Sequence, residues 1–137
     1  MTRVFADTFF FLAVLNRRDP SHEAALRFYA DANMHFVTTE WVLGEVANAS
    51  SAPTMRAGFK RLFDLLERDA RMRIIPASHD AFRRGLELYF NRPDKEWSFT
   101  DCASFAVMSE EGMEQALTGD HHFEQAGFRI VLGGRAS

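Results

Sequence analysis

Short apolar segments alternate with segments of helical periodicity along this chain. The apolar segments predict five short strands: Arg3 to Ala6, His35 to Thr38, Met72 to Pro76, Glu114 to Thr118, and Arg129 to Leu132. Apolar residues spaced three and four positions apart predict the helices between them. Strands that alternate with helices are typical of βαβ units, which form parallel sheets. We therefore predict an α/β fold in which a central parallel sheet of about five short strands carries helices on both faces.

Capping residues and apolar stripes predict where the helices begin and which faces they bury. Asp19, followed by a proline, predicts a helix start with Asp19 as the N-cap. Thr39 and Ser78 are the predicted N-caps of two later helices, and Ser98 or Thr100 caps a further one. Two inward stripes are predicted: Phe59, Leu62, Phe63 and Leu66 in a helix from about Thr54 to Arg68, and Phe82, Leu86, Tyr89 and Phe90 after Ser78.

Length and composition predict a single globular domain over residues 1–137. Apolar residues make up 47% of the chain and charged residues 26%, which is typical of a folded protein. The longest clean apolar run, Phe9 to Leu15, is too short to span a bilayer, so no membrane association is expected. The one cysteine, Cys102, excludes an internal disulfide and fits a reducing, cytoplasmic location, where it is expected to be a small buried residue.

Four acidic residues at or near the ends of predicted elements carry most of the functional information. Asp7 closes the first strand, and Asp120 follows the fourth. Asp101 opens a helix, and Glu45 lies inside the helix that follows the second strand. Taken singly, Asp101 is explained by the helix dipole, Asp120 by a turn and Glu45 by an exposed helix face. Together they are more informative, because parallel strands end at one edge of a sheet and bring such residues close to one another.

Carboxylates that are brought together without cations repel one another. At an effective dielectric constant of about 20, two such charges about 4 Å apart cost about 4 kcal/mol. A cluster of four is therefore tenable mainly when it holds a hard divalent metal ion, usually Mg²⁺ or Mn²⁺. Metal held by carboxylates in this way indicates phosphodiester chemistry.

The local sequences around the four acids resemble those of the PIN-domain ribonucleases, and especially the VapC-type toxins of bacterial toxin–antitoxin modules. The matching segments are Ala6-Asp7-Thr8, Gly44-Glu45-Val46-Ala47-Asn48, Ser98-Phe99-Thr100-Asp101-Cys102-Ala103 and Leu117-Thr118-Gly119-Asp120-His121-His122-Phe123, followed by Gly127-Phe128. The resemblance covers essentially the whole chain, and all four acidic positions are filled.

The resemblance implies a compact three-layer α/β/α sandwich and a Mg²⁺- or Mn²⁺-dependent endoribonuclease that cleaves single-stranded or structured RNA. It implies that Asp7 and Asp101 are the main metal ligands. Glu45 and Asp120 are expected to complete or bridge the ligand shell, directly or through water. The residues expected to orient these carboxylates or bound water are Thr8, Asn48 and Thr100. A cognate antitoxin that blocks the acidic groove and a homodimer are implied by the resemblance alone.

The resemblance implies one or two metal ions, and the residues after Asp120 leave the ligands of a second ion open. The basic residues leave the RNA contacts open. His121 and His122 are adjacent and lack the three- or four-residue spacing of a helical metal pair, so they are expected in a solvent-exposed loop. Trp97 is expected to pack against the Asp101 helix rather than to stack on a base. Fourteen of the 16 basic residues are arginine, and setting the four acids aside raises the net charge from −3 to +1. This charge permits RNA binding without requiring it.

Two other functions stand as alternatives to the nuclease. A non-catalytic RNA- or protein-binding regulator would keep the fold and a disused site, although an unused anionic cluster is electrostatically costly. A phospho-receiver domain also has an acidic pocket at the edge of a parallel sheet, but it needs an aspartate at the end of its central strand. The third strand, Met72 to Pro76, is followed by Ala77 and has no such aspartate.

Overall fold

The computed structural model describes residues 2–132 of the chain. This part forms five strands and seven helices: β1 (Thr2–Ala6), α1 (Thr8–Leu15), α2 (His22–Ala30), β2 (Met34–Thr39), α3 (Glu40–Ala49), α4 (Arg56–Arg68), β3 (Met72–Ile75), α5 (His79–Asn91), α6 (Phe99–Glu110), β4 (Gln115–Leu117), α7 (His121–Gln125) and β5 (Arg129–Ile130). The five predicted strands are all present, with ends that differ by one or two residues. None of the helices in this range has the length and apolar character needed to cross a membrane.

The five strands form one sheet in the order β3-β2-β1-β4-β5, and every pair is parallel. β1 is the central strand, since Phe5 pairs with Val37 of β2 on one side and with Ala116 of β4 on the other. Parallel neighbours require crossover connections, and helices supply them here. The predicted α/β/α architecture with five short parallel strands is confirmed.

The strand order also excludes the phospho-receiver alternative. Receiver domains place their third strand in the middle of the sheet, in the order 2-1-3-4-5. In this protein β3 lies at one edge and β1 lies in the middle. The aspartate missing after β3 is therefore not the decisive difference. The topology itself separates the two folds.

The hydrophobic core surrounds β1 and the helix that follows it. Residues Val4 to Ala6 are at most 1% exposed, and Phe10 and Phe11 of α1 are equally buried. The predicted stripe of α4 also joins this core, through buried Leu62 and Leu66 and partly buried Phe59 and Phe63. Because Asp7 joins β1 to α1, its carboxylate is held between two buried apolar segments.

The helix starts confirm two predicted caps and correct a third. Thr39 and Ser78 each accept the N–H of the residue three positions later, as predicted. Asp19, in contrast, accepts the N–H of Ser21 at 2.8 Å through its side chain and that of His22 at 2.9 Å through its carbonyl. Asp19 therefore closes a turn, and α2 begins only at His22. α4 likewise begins two residues later than predicted.

The buried face of α5 differs from the predicted inward stripe. Three of the four residues in that stripe are 38%, 45% and 67% exposed, namely Phe82, Tyr89 and Phe90, while Leu86 is half-buried. α5 instead contacts α6 through its small residues. A Cβ at Gly85 would lie only 2.9 Å from the ring of Phe99 and 3.3 Å from the Cα of Ala103. Small residues therefore form this contact and the predicted stripe is wrong: Tyr89 and Phe90 contact each other at the surface, while partly exposed Phe82 packs against Phe99 and Trp41.

Candidate metal centre at the carboxyl edge of the sheet

Asp7 is the most deeply buried of the four acids. It follows the central strand and is 6% exposed, and the hydroxyl of Thr118 donates a hydrogen bond of 2.9 Å to its Oδ2. Burial raises the pKa of the Asp7 carboxyl from 3.8 to about 7, against the hydrogen bonds from Thr118 and the Thr8 backbone. Repulsion from Asp101 and Asp120 adds to the rise. Three of the predicted site residues are therefore close enough to interact electrostatically.

Asp101 lies in the first turn of α6 and forms a capping box with Ser98. The Ser98 N–H donates to Asp101 Oδ2 at 3.1 Å, and the Asp101 N–H donates to Ser98 Oγ at 3.0 Å. Ser98 rather than Thr100 is thus the N-cap. Burial raises the pKa of Asp101, the Ser98 hydrogen bond opposes this, and Asp120 adds to the rise. The cap fixes the carboxylate at the positive end of the helix, where it faces Asp120.

Asp120 is the N-cap of α7 and lies three residues after the end of β4. Its Oδ1 accepts the N–H of His122 at 2.9 Å, and its own N–H donates to Thr118 Oγ1 at 3.0 Å. Thr118 therefore contacts two acids at once, because its hydroxyl donates to Asp7 and accepts from Asp120. This buried threonine joins the ends of β1 and β4 into one site.

Glu45 joins the site through Thr8 rather than through another acid. The Thr8 hydroxyl donates a hydrogen bond of 2.6 Å to Glu45 Oε1. Thr8 directly follows Asp7, so this bond places the half-buried Glu45 of α3 beside the end of β1. The structure thus brings Asp7, Asp101 and Asp120 together and attaches Glu45 at one side.

The structure assigns His122 a position in the site that the sequence did not predict. His121 and His122 begin α7 and do not lie in a loop, which corrects the expectation for both. The side chain of His121 is 68% exposed, whereas that of His122 is 22% exposed. His122 Nδ1 lies 3.1 Å from Asp101 Oδ2 and 3.5 Å from Asp120 Oδ1. The sequence signal was the position of His122 two residues after Asp120, because an N-cap side chain accepts the backbone N–H of the residue two or three positions later.

The remaining candidates differ in their relation to the site. Asn48 is exposed on α3, and Thr100 is half-buried. Within residues 2–132, neither side chain forms a hydrogen bond with the four acids. Trp97 packs edge-on against Phe105, as expected. Cys102 is fully buried, and burial raises its pKa to about 11, so the thiol is a core group and not a nucleophile.

No lysine or arginine within residues 2–132 forms an ion pair with any of the four acids. In this range, the side chains that contact their carboxylates are two threonine hydroxyls and two histidines. A buried carboxylate without a cationic partner is costly, and a divalent cation removes that cost. The oxygen-rich donor set therefore fits a hard metal ion such as Mg²⁺ or Mn²⁺.

Comparison with known proteins identifies the family of this chain. The family model of the PIN domain matches residues 4–129. The 23S rRNA-specific endonuclease VapC20 of Mycobacterium tuberculosis is 29% identical over 130 residues, which cover 91% of this chain and 95% of that protein. The crystal structure of VapC20, a toxin that cleaves the sarcin–ricin loop, superposes with a TM-score of 0.83 at 27% identity, covering 94% of this chain and 98% of the other.

A more distant match shows the fold alone. VapBC2 from Rickettsia felis, solved with a fragment of promoter DNA, has a TM-score of 0.68 at 16% identity and covers 95% of this chain and 98% of the other. The resemblance to PIN-domain and VapC-type proteins that the four motifs predicted is confirmed. With a family model that spans nearly all of its length, the chain belongs to the PIN-domain family.

Proposed function

We propose that this protein is a metal-dependent endoribonuclease and the toxin of a toxin–antitoxin pair. Its membership of the PIN-domain family and its similarity to VapC20 support an RNA-cleaving hydrolase. The observation that carries the proposal is the buried Asp7 carboxylate, which lies at the end of the central strand near Asp101 and Asp120 and has no lysine or arginine partner among residues 2–132. Such an arrangement is maintained at a functional site, since a merely structural carboxylate would be paired.

Asp7 and Asp101 are the main metal ligands in this proposal. Both carboxylates have raised pKa values because they are buried, and a bound cation would offset this by favouring their charged forms. Glu45 and Asp120 complete the shell, directly or through water. Thr8 and Thr118 hold two of the carboxylates in place through their hydroxyls, which is the usual role of groups that surround metal ligands.

When bound, the divalent cation supplies the Lewis acidity that activates water and offsets the charge on phosphate. The side chains of the protein hold the carboxylates in position. The capping box fixes Asp101, Thr118 fixes Asp7 relative to Asp120, and Thr8 turns Glu45 towards the end of β1. Apolar residues on both sides of Asp7 exclude water from beneath the site, which strengthens the electrostatic interactions above it.

Structured ribosomal RNA is the substrate class that we propose. The named target of VapC20 is 23S rRNA, and the two chains align over nearly their full length. A cleft of about 400 Å³ opens beside the site and is lined by Asp94, Lys95, Glu96, His121, His122 and Gln125. With the four acids neutralised by metal, the rest of the chain carries a net charge of +1, which is compatible with an RNA backbone.

A cognate antitoxin and a second copy of the chain are the proposed protein partners, and the cytoplasm is the proposed location. Several solved structures with the same fold are toxin–antitoxin complexes. The aromatic residues that α5 exposes, Phe82, Tyr89 and Phe90, supply an apolar surface suited to a dimer contact. Size-exclusion chromatography with light scattering tests the dimer, and a monomer at micromolar concentration would contradict it.

Cleavage of purified 23S rRNA with Mg²⁺ or Mn²⁺ tests the function. We expect discrete fragments from the wild-type protein, none with a chelator, and none from Asp7→Asn. Asp64→Asn is the matched control, because Asp64 lies on α4 with a half-exposed side chain and, among residues 2–132, forms an ion pair with Lys60 alone. Cleavage that persists in Asp7→Asn would disprove the mechanism. Tight RNA binding without metal or cleavage would instead support the non-catalytic regulator.

A further inference from the structure

We infer that His122, assisted by His121, provides nitrogen ligands at the Asp120 end of the metal centre, so that the site favours first-row transition ions such as Mn²⁺ or Co²⁺ over Mg²⁺. The inference rests on the proposed function only in requiring that a divalent ion binds the acidic edge. It concerns which ion that is, and which side chains of this chain select it.

The distances between donor atoms at this end of the site suit one metal ion. His122 Nδ1 lies 3.1 Å from Asp101 Oδ2 and 3.5 Å from Asp120 Oδ1, and His121 Nδ1 lies 3.8 Å from Asp120 Oδ1. For an ion with bonds of about 2.1 Å, adjacent ligands are about 3.0 Å apart and opposite ligands about 4.2 Å apart. The observed separations fall within this range. Ligand atoms of Asp120, His121 and His122 all lie within 4.8 Å of one another.

Local structure holds the His122 ring at this position. Asp120 caps α7 by accepting the His122 N–H at 2.9 Å, which brings the backbone of His122 back over the acid. The ring is largely buried and meets that of His121 at a centroid distance of 4.6 Å. Adjacent histidines do not form the usual helical metal pair. Here the N-cap residue Asp120 and Asp101 of α6 lie beside the His122 ring, so the other ligands come from these two acids and not from a second histidine one helical turn away.

The chemistry of the donors determines the selectivity. Mg²⁺ takes oxygen ligands and keeps much of its water, so it gains little from an imidazole. Imidazole nitrogen favours later first-row ions, and affinity at a mixed nitrogen and oxygen site rises from Mn²⁺ to Co²⁺. In the metal-free protein the contact of Nδ1 with the Asp101 carboxylate is a hydrogen bond. A cation held by the two groups takes the place of that proton.

Electron spin-echo spectroscopy of the Mn²⁺-loaded protein tests the inference without measuring activity. We expect a ¹⁴N coupling from a bound imidazole in the wild-type protein and its loss in His122→Asn. Asparagine keeps an N–H donor near the position of Nδ1, so it preserves the contact with Asp101 and removes only the ligand. His121→Asn should weaken the signal less, because His121 is more exposed. His79→Asn is the matched control, since His79 is an exposed first residue of another helix.

Calorimetric affinities for Co²⁺, Mn²⁺ and Mg²⁺ provide the second measurement. His122→Asn should lower the affinity for Co²⁺ and Mn²⁺ at least about tenfold and leave that for Mg²⁺ nearly unchanged. If Mn²⁺ binds in an Asp7-dependent manner without ¹⁴N coupling, and the selectivity of His122→Asn is unaltered, the inference is wrong and the proposed function stands. If no divalent ion binds the folded wild-type protein, both are wrong.

Discussion

Two carboxylates at opposite edges of the sheet have opposite environments. Asp7 follows β1 at the carboxyl edge, and burial raises its pKa to about 7. Asp69 precedes β3 at the amino edge, where burial also disfavours its charge, but hydrogen bonds from Arg71 and Tyr29 outweigh this and lower its pKa to about 2. Arg71 Nη2 lies 3.0 Å from Asp69 Oδ2, and the Tyr29 hydroxyl donates to the same oxygen at 2.7 Å.

The amino edge is a completed structural cluster. Arg71 also donates to the carbonyls of Tyr29 and Asp31 and lies over the rings of Tyr29 and Phe36. It therefore ties α2, the start of β2 and the start of β3 together. At the carboxyl edge, Asp7 has no such arginine among residues 2–132. The protein thus neutralises a carboxylate with its own side chains at the amino edge, and it does not do so at the edge where we propose that an ion binds.

Loss of catalysis in Asp7→Asn is the largest expected effect. The variant removes a buried carboxylate that we propose as a metal ligand, so we expect the cleavage rate to fall at least about 1,000-fold, equivalent to about 4 kcal/mol in the barrier. Asp69→Asn should cleave at nearly the wild-type rate in single-turnover assays at a temperature where it is folded. Equal losses in the two variants would remove the distinction between the edges.

The pH dependence of stability should be the next largest effect. In the metal-free protein, Asp7 is neutral in both the folded and the unfolded state below pH 3.8, and its contribution to the free energy of unfolding is then fully present. That contribution is lost as the pH rises through about 7, the pKa of Asp7 in the folded state. The shift corresponds to at most about 4 kcal/mol. Urea unfolding in a chelator should therefore show stability that falls across this window, and Asp7→Asn should flatten the slope. A wild-type slope of the opposite sign would contradict the raised pKa.

Removal of the cation at the amino edge should have a smaller effect, on folding alone. Arg71→Ala removes the guanidinium from Asp69, which keeps the Tyr29 hydroxyl, and from two carbonyls, so we expect a loss of about 2 to 3 kcal/mol in the free energy of unfolding. Lys60→Ala, which breaks an exposed pair with Asp64, should cost at most about 0.5 kcal/mol. Metal affinity of folded Arg71→Ala should be unchanged by calorimetry. A marked fall would mean that the two edges are coupled.

Thr8→Val should have the smallest effect. It removes the hydroxyl that holds Glu45, and loss of such a supporting hydrogen bond weakens metal binding about tenfold. Asn48→Ala should leave the affinity unchanged because Asn48 is exposed. Thr100→Val should also have no effect, since Ser98 is the cap. If calorimetry showed that Asn48→Ala and Thr100→Val lose as much metal affinity as Thr8→Val, all three residues would support the metal ligands, as the sequence predicted.

Much of the fold and the acidic quartet was predictable because the signals are local. Alternating strand and helix patterns fixed the parallel sheet, and strand ends placed Asp7 and Asp120 at one edge. The inward stripe of α5 was wrong because apolar periodicity does not reveal how closely two helices approach. The single-domain prediction and the ligand roles of the four acids stay predictions.

The sequence alone determined the elements, the family and the four acids, since periodicity, capping residues and short motifs are properties of neighbouring residues. Only the tertiary structure decided that β1 is central, that within the described part of the chain Asp69 has a basic partner and Asp7 has none, and that His122 contacts Asp101. Each of these depends on distances between segments far apart in the chain. Burial and charge pairing are set by those distances, and they distinguish the paired carboxylate of Asp69 from that of Asp7, for which we propose a metal-binding role.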